Sequence, residues 1–165
     1  MSGMRHFNEK PRILVVDDDS DVRQLITHVA RRAGYEAASA ATVKQGSQEI
    51  QEGNLKLVIL DLIMPGEDGI ECLKILADSP AIQDTPVLVS SGYDRGMVEV
   101  AKKLGTGLGL NMVGELPKPF KVSDLETRLD EILSGKPDRG RTGGAPDGSP
   151  TAIGDIVGKG PQQTL

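Results

Sequence analysis

The chain has 165 residues, a formal net charge of −5 and a single cysteine, Cys72. That length allows one domain of ordinary size plus an appendage; the negative charge gives no electrostatic reason to expect nucleic acid or an anionic membrane as partner; and one thiol excludes an intramolecular disulfide or a cysteine-rich metal cluster. No apolar stretch approaches the length of a membrane span and residues 1–11 lack the apolar segment of a signal peptide, so a cytoplasmic protein is expected.

Residues 1–10 read as a flexible start, with His6 part of it. The run Ile13-Leu14-Val15-Val16, closed by Asp17-Asp18-Asp19, reads as a buried parallel strand with acids at its carboxyl end. Asp19 and Ser20 cap a helix over Asp21–Ala33, in which Val22, Leu25, Ile26 and Val29 recur at i, i+3, i+4 and i+7 and which Gly34 stops. His28 lies on that helix's face and reads as neither a ligand nor a phosphorelay histidine. A second strand over Tyr35–Ala40 precedes a helix over Thr42–Glu52, where Val43 and Ile50 mark a buried stripe although Gly46 lowers the propensity. The third strand, Leu57-Val58-Ile59-Leu60, delivers Asp61.

Met64-Pro65-Gly66-Glu67-Asp68-Gly69 is predicted as a turn, since proline fixes one φ and the glycines open conformations closed to other residues. A helix over Ile70–Ala77 comes next, with Ile70, Leu73 and Leu76 on one face and Cys72 read as a small buried side chain. Pro86–Ser91 is the fourth strand, ending in Ser91 with Gly92 next to it. Met97–Leu104 is a helix, Gly105, Gly107 and Gly109 form a connection rather than a phosphate loop, and Asn111–Leu116 is the fifth strand. Ser123 and Glu126 have capping-box spacing ahead of a last helix carrying Val122, Leu125, Leu129 and Ile132. Five β-α units predict an α/β domain over residues 11–133, a doubly wound five-stranded parallel sheet with helices on both faces. Residues 134–165 contain 8 Gly and 4 Pro in 32 positions and no aromatic residue, and are read as a disordered Gly/Pro-rich tail; Ala152-Ile153 and Ile156-Val157 break its polarity without making it a domain.

In an open α/β sheet, ligands sit beyond the carboxyl ends of the strands, which brings Asp17, Asp18, Asp61 and Ser91 to one shallow pocket. Crowded carboxylates repel unless a hard cation joins them, and Mg²⁺ takes oxygen ligands and bridges readily to phosphate. With Lys118-Pro119 opening a late turn, the ordered set spells a metal-assisted phosphoryl-acceptor site. Each piece alone has a blander reading: an acidic helix cap, a turn aspartate, a surface serine, a loop lysine.

Asp17-Asp18, Asp61 followed by Met64-Pro65 and Gly69, Ser91 before Gly92, and Lys118-Pro119-Phe120 together resemble, over about residues 11–133, the receiver domains of bacterial two-component response regulators. The resemblance implies a flavodoxin-like strand order 2-1-3-4-5 and a phosphoryl group passed to Asp61 from a sensor histidine kinase or a histidine phosphotransfer protein. It further implies Mg²⁺ held by Asp18, Asp61 and the Ile63 carbonyl, with Asp17 assisting through water. Lys118 would contact the phosphoryl group or the Asp61 carboxylate, Ser91 would hydrogen-bond the phosphoryl group after transfer, and the Lys118-Pro119 bond would be cis. Drawing Ser91 inward would bias a rearrangement of the face formed by the fourth helix, fifth strand and fifth helix, which a downstream protein partner could read.

The chain departs from the family pattern in two places. Ser91 and Lys118 stand 27 positions apart, longer than in most receivers by about one helical turn. The intervening Ala101–Leu104, Leu108–Leu110 and Val113–Leu116 look like receivers that precede cyclic-di-GMP phosphodiesterase domains of the EAL type, and no such domain is present in this sequence. Glu115 occupies the position where many receivers carry a switch aromatic. The expected protein is a single-domain response regulator, not an enzyme. The alternatives are a phosphate-independent interaction module and a haloacid-dehalogenase-type phosphatase, which would use Asp17 as nucleophile and leave Asp61 unexplained.

Overall fold

Residues 10–92 and 94–135 are described by the computed structural model. The start of the chain with His6, and the Gly/Pro-rich segment from 136 onward with its two apolar pairs, lie outside the described residues.

A strand apolar at every position must be covered on both faces. Ile13 to Val16, Leu57 to Leu60 and Val87 to Val89 are all buried, and they form the three central strands of a five-stranded parallel sheet. In chain order the elements are β1 (Arg12–Val16), α1 (Ser20–Arg32), β2 (Glu36–Ala40), α2 (Val43–Gln51), β3 (Leu55–Asp61), a ribbon of β4 (Ile63–Met64) and β5 (Glu67–Asp68), α3 (Gly69–Ala77), β6 (Pro86–Ser91), α4 (Arg95–Gly107), β7 (Asn111–Pro117) and α5 (Val122–Leu133), with a short 3₁₀ turn at Pro80–Ile82. The sheet order is β2-β1-β3-β6-β7, which is 2-1-3-4-5 when the two ribbon strands are left out of the count, as expected for a flavodoxin-like doubly wound fold.

Alternation along each strand sends side chains to two separate cores. Leu14, Val16, Val58, Leu60, Val87 and Val89 pack with Val43, Ile50, Cys72, Leu73, Leu76, Val98 and Ala101 from α2, α3 and α4. Ile13, Val15, Leu57, Ile59, Leu88 and Leu116 pack with Ile26, Val29 and Ala30 of α1 and Leu125 and Leu129 of α5. The registers Val16↔Leu60 and Asp61↔Ser90 align the carboxyl ends of β1, β3 and β6, so the loops leaving these strands open onto one edge.

The helix starts obey the capping logic with one exception. Asp19 accepts from the amides of Asp21 and Val22, Thr42 from Gln45, Asp68 from Ile70 and Asp94 from Met97. The expected Ser123–Glu126 box is displaced by two residues: the Lys121 carbonyl already accepts from the Asp124 and Leu125 amides, and Asp124 Oδ2 accepts from the Lys121 amide at 3.3 Å. Ser123 therefore sits inside the helix. Gly105 and Gly107 are likewise not connection but the last turn of α4; Gly105 is buried where an added Cβ would collide with the end of Met112, so its bareness lets β7 lie close to the helix. The turn itself falls at Gly109, with φ 88.

The predicted turn after Asp61 is more ordered than expected. Ile63↔Asp68 and Met64↔Glu67 pair as an antiparallel ribbon around Pro65 and Gly66, and both Glu67 carboxylate oxygens accept from the Val43 amide, at 3.0 and 3.1 Å, tying the ribbon to the start of α2. Gly69 then begins α3 directly against β3's continuation: a Cβ there would overlap the Leu62 carbonyl oxygen. Because backbone cannot swing aside as a side chain does, Gly69→Ala should lower stability by about 1–3 kcal/mol. Urea unfolding of the pair measures it, and an unchanged midpoint would show that the ribbon absorbs the methyl without cost.

Candidate functional site

The acids at the ends of β1 and β3 meet as the sequence spacing suggests. Carboxylate oxygens of Asp17, Asp18 and Asp61 lie within 4.8 Å of one another, with Asp17 and Asp61 buried at 1% and 4% exposure and Asp18 exposed. Lys118, just beyond β7, reaches back across the sheet: its Nζ donates to Asp17 Oδ2 at 2.5 Å and to Asp61 Oδ2 at 3.1 Å. Its own amide donates to the Ser91 carbonyl at 2.8 Å, which anchors the lysine backbone to the end of β6, and the Lys118-Pro119 bond is cis as expected.

Backbone groups hold the two buried carboxylates in orientation. Asp17 Oδ1 accepts from the Asp19 amide and Asp61 Oδ1 from the Ile63 amide, both at 2.9 Å. Each carboxylate thus presents one oxygen to the main chain and the other to Lys118. Ile63 is about half exposed at the lip of the pocket. The Ser91 side chain is buried and its Oγ has no hydrogen-bond partner among the described residues, a property shared by its neighbour Ser90.

Arg23 is a contributor that sequence reasoning missed. Its Nη1 donates to the Asp17 carbonyl at 2.7 Å and the Asp18 carbonyl at 2.9 Å, pinning the acidic loop to α1 from outside the pocket. The available signal was its place one turn into α1, on the side of the helix nearest the acidic loop. Cys72 behaves as expected of a core residue: burial, and then the nearby Glu67 carboxylate, push its thiol up to about 11.

The balance of charge defines what the pocket lacks. Three carboxylates against one ammonium leave an excess of two negative charges, and burial, the largest influence, raises the Asp61 carboxyl above its ordinary value despite the opposing Ile63 and Lys118 hydrogen bonds. Burial also works against the charge of Lys118, but its hydrogen bonds to Asp17 and Asp61 outweigh that and its value is raised. The donor set is oxygen only and short of one divalent charge, which fits Mg²⁺ and not a soft metal.

A family model described as response regulator receiver domain matches residues 13–130. Among curated proteins, the chain is 28% identical over 147 residues to the phosphate regulon transcriptional regulatory protein PhoB of Pseudomonas aeruginosa, covering 88% of this chain and 58% of that one. It is 30% identical over 122 residues to the transcriptional regulatory protein BasR of Escherichia coli, covering 74% and 52%. The chain thus spans between about half and three-fifths of the length of these relatives. Among solved structures, the chemotaxis protein CheY4 of Vibrio cholerae superposes with a TM-score of 0.65 at 27% identity, covering 75% of this chain and 99% of that one. A putative response regulator from Chloroflexus aurantiacus gives 0.62 at 33%, covering 76% and 99%. No helix among the described residues is long and apolar enough to cross a membrane.

The raised Asp61 carboxyl has a stability consequence with a definite sign. A value higher in the folded than in the unfolded chain means that the protonated form favours folding: that contribution is complete below the unfolded value and is lost as pH rises through the folded one. Ionisation of Asp61 is therefore a liability to the fold when no metal is bound. In the presence of a chelator, Asp61→Asn should melt higher than wild type at pH 7, and the gap should close as the pH is lowered towards 4. A variant that melts lower at pH 7 would contradict this.

Proposed function

Because this chain belongs to the response regulator receiver domain family, a signalling family and not a classical enzyme family, we propose that it is a phosphoryl-accepting switch with Asp61 as the acceptor. The observation that carries the reading is the Lys118 ammonium shared between Asp17 and Asp61 at the joint edge of three strands, beside exposed Asp18.

An aspartate oxygen is a weak nucleophile, so transfer depends on position and on neutralising the equatorial oxygens. Asp61 attacks the phosphorus of a phosphohistidine on a sensor kinase or a phosphotransfer protein; the new P–O bond forms as the P–N bond breaks, and the electron pair leaves with the imidazole nitrogen. The Ile63 amide holds one Asp61 oxygen and so fixes the rotation of the carboxylate. Lys118 already stands at Asp61 Oδ2 and follows the charge onto the phosphoryl oxygens. Mg²⁺, held by Asp18, Asp61 and the Ile63 carbonyl with Asp17 assisting through water, would supply the missing positive charge and draw the donor phosphate into the pocket. Ser91, at the end of β6, would then hydrogen-bond the acquired oxygens.

The output of this switch is a protein partner that distinguishes the two states at the α4-β7-α5 face. Glu115 pairs in register with Val89, on the side of the sheet that faces α4, and is half-buried. A carboxylate there responds to the added phosphoryl charge by repulsion, in place of an aromatic rotamer. The likeness of Ala101–Leu116 to receivers preceding EAL-type domains supports placing this protein near that branch of the family. Cytoplasmic location follows from the proposed donors.

Intact mass with peptide mapping, after incubation with Mg²⁺ and a panel of histidine kinases, tests the assignment. One phosphoryl group on Asp61, absent from Asp61→Asn, is the expected result; labelling that persists on another residue would defeat it. Lys118→Ala separates the roles of the lysine: with the competing ammonium gone from Asp17 and Asp61, Mg²⁺ should bind at least as tightly, about tenfold tighter if the electrostatic gain is near 1.4 kcal/mol, while phosphorylation-dependent partner binding falls. Titration calorimetry reads the first effect and a pull-down with the phosphorylated variant the second; weaker Mg²⁺ binding would mean that Lys118 organises the acids and does not compete for them.

A further inference from the structure

Sequence spacing singles out Ser91, but the sheet register makes its neighbour Ser90 the closer companion of the acceptor. Ser90 pairs directly with Asp61, and the Leu62 amide donates to the Ser90 carbonyl at 3.4 Å. Alternation decides which way the two serines face. Leu88 belongs to the core under α1 and α5 while Val87 and Val89 belong to the other, so Ser90 faces α1 and α5 and Ser91 faces α4. On β3 the same count, from Leu57 and Ile59, puts Asp61 on the Ser90 side; on β1, Ile13 and Val15 put Asp17 there; beyond β7, Leu116 puts Lys118 there.

Asp17, Asp61 and Ser90 therefore stand level on one face of the sheet, on the neighbouring strands β1, β3 and β6; Leu116 of β7 is in register with Ser90, and Lys118 follows two residues beyond it on the same side. To reach Asp61 and Asp17, the Lys118 side chain crosses the end of β6, where Ser90 stands. Neighbouring strands are about 4.8 Å apart, so the Ser90 backbone lies one strand spacing from that of the acceptor, with both side chains on the same face. It is 1% exposed, and among the described residues its Oγ neither donates nor accepts a hydrogen bond. Buried hydroxyls are ordinarily satisfied, and an apolar side chain would fill this place without that penalty.

We propose that Ser90 is a second hydroxyl of the acceptor site, which donates to an oxygen of phosphorylated Asp61 that the free protein does not offer. Phosphorylation converts one Asp61 oxygen into a P–O–C bridge, draws Lys118 towards the phosphoryl group and adds three acceptor oxygens next to an O–H that has none. Satisfying that O–H stabilises the phosphorylated state relative to the free one. The inference rests on the phosphoacceptor reading above and adds a residue to it; Ser91, on the opposite side of β6, is not interchangeable with it.

The test uses beryllium fluoride with Mg²⁺ as a non-hydrolysing mimic of the aspartyl phosphate, titrated calorimetrically into the full chain, with thermal unfolding of each unliganded variant alongside. Ser90→Ala should bind the mimic roughly tenfold more weakly, Ser90→Thr should restore most of the affinity, and unliganded Ser90→Ala should be no less stable than wild type because the lost hydroxyl had no partner. Equal affinity in wild type and Ser90→Ala would overturn the inference. So would an affinity loss accompanied by a matching drop in unliganded stability that Ser90→Thr does not repair, since that is the signature of a packing role. Failure of wild type itself to bind the mimic, with Asp61→Asn behaving identically, would instead bring down the phosphoacceptor reading and this inference with it.

Discussion

Two buried carboxylates sharing one ammonium is the constraint on which the rest of the pocket depends. Asp17 and Asp61 come from different strands, and like charges so close would push the carboxyl ends of β1 and β3 apart if nothing stood between their fields. Lys118 does so from the far side of β6, which makes the order of the strands part of the electrostatics. A sheet that placed β7 elsewhere would leave the acids unpaired. Yet the compensation is partial: one ammonium against three carboxylates keeps the site attractive to a divalent cation and to whatever anion that cation brings.

The same balance of charge explains why the surroundings are built from backbone groups. An amide N–H stabilises a carboxylate without adding a mobile charge, and the Asp19 and Ile63 amides each take one oxygen of a buried acid. Arg23 directs its charge at two carbonyls of the acidic loop, where it fixes the main chain without neutralising the side chains. The ribbon around Pro65 and Gly66 folds the segment after Asp61 back, and at its end Gly69 lies so close to the Leu62 carbonyl that only a glycine fits there. Fold and site are thus coupled through main chain, and the titrating groups are left free to answer a ligand.

Much of this was legible in the sequence because it depends on short-range patterns. Apolar runs ending in Asp17 and Asp61 carry both the strand assignment and the position of the acids, since a parallel sheet places every strand end on the same edge. The helix stripes of α1 and α5 could be read from their 3.6-residue period. The features that escaped are set by tertiary contact. The start of α5 and the extension of α4 through Gly105 depend on how β7 packs against them, which propensity alone does not encode. Arg23 escaped because its partners are carbonyls, and a guanidinium bound to main chain leaves no pairing pattern to find. Ser90 escaped for a related reason: spacing identifies the residue at the end of a strand, whereas the face a residue takes emerges only when the alternation of the neighbouring strands is known.

Strand alternation also gives the paired serines a division of labour. Adjacent residues of a strand face opposite sides, so the two hydroxyls at the end of β6 start from opposite faces of the sheet. Ser90 shares its face with Asp17, Asp61 and Lys118, the side on which the charged groups gather. Ser91 shares its face with Val89 and Glu115, against the α4 layer, and its carbonyl holds the Lys118 amide. On the proposed reading, a change of charge at Asp61 would have two routes through one dipeptide: one stays on the face of the acids and Lys118, the other passes through β6 to the α4 side. Because the two residues are joined by a single peptide, movement of either displaces the other, which would couple the two faces of the sheet through the same short stretch of chain.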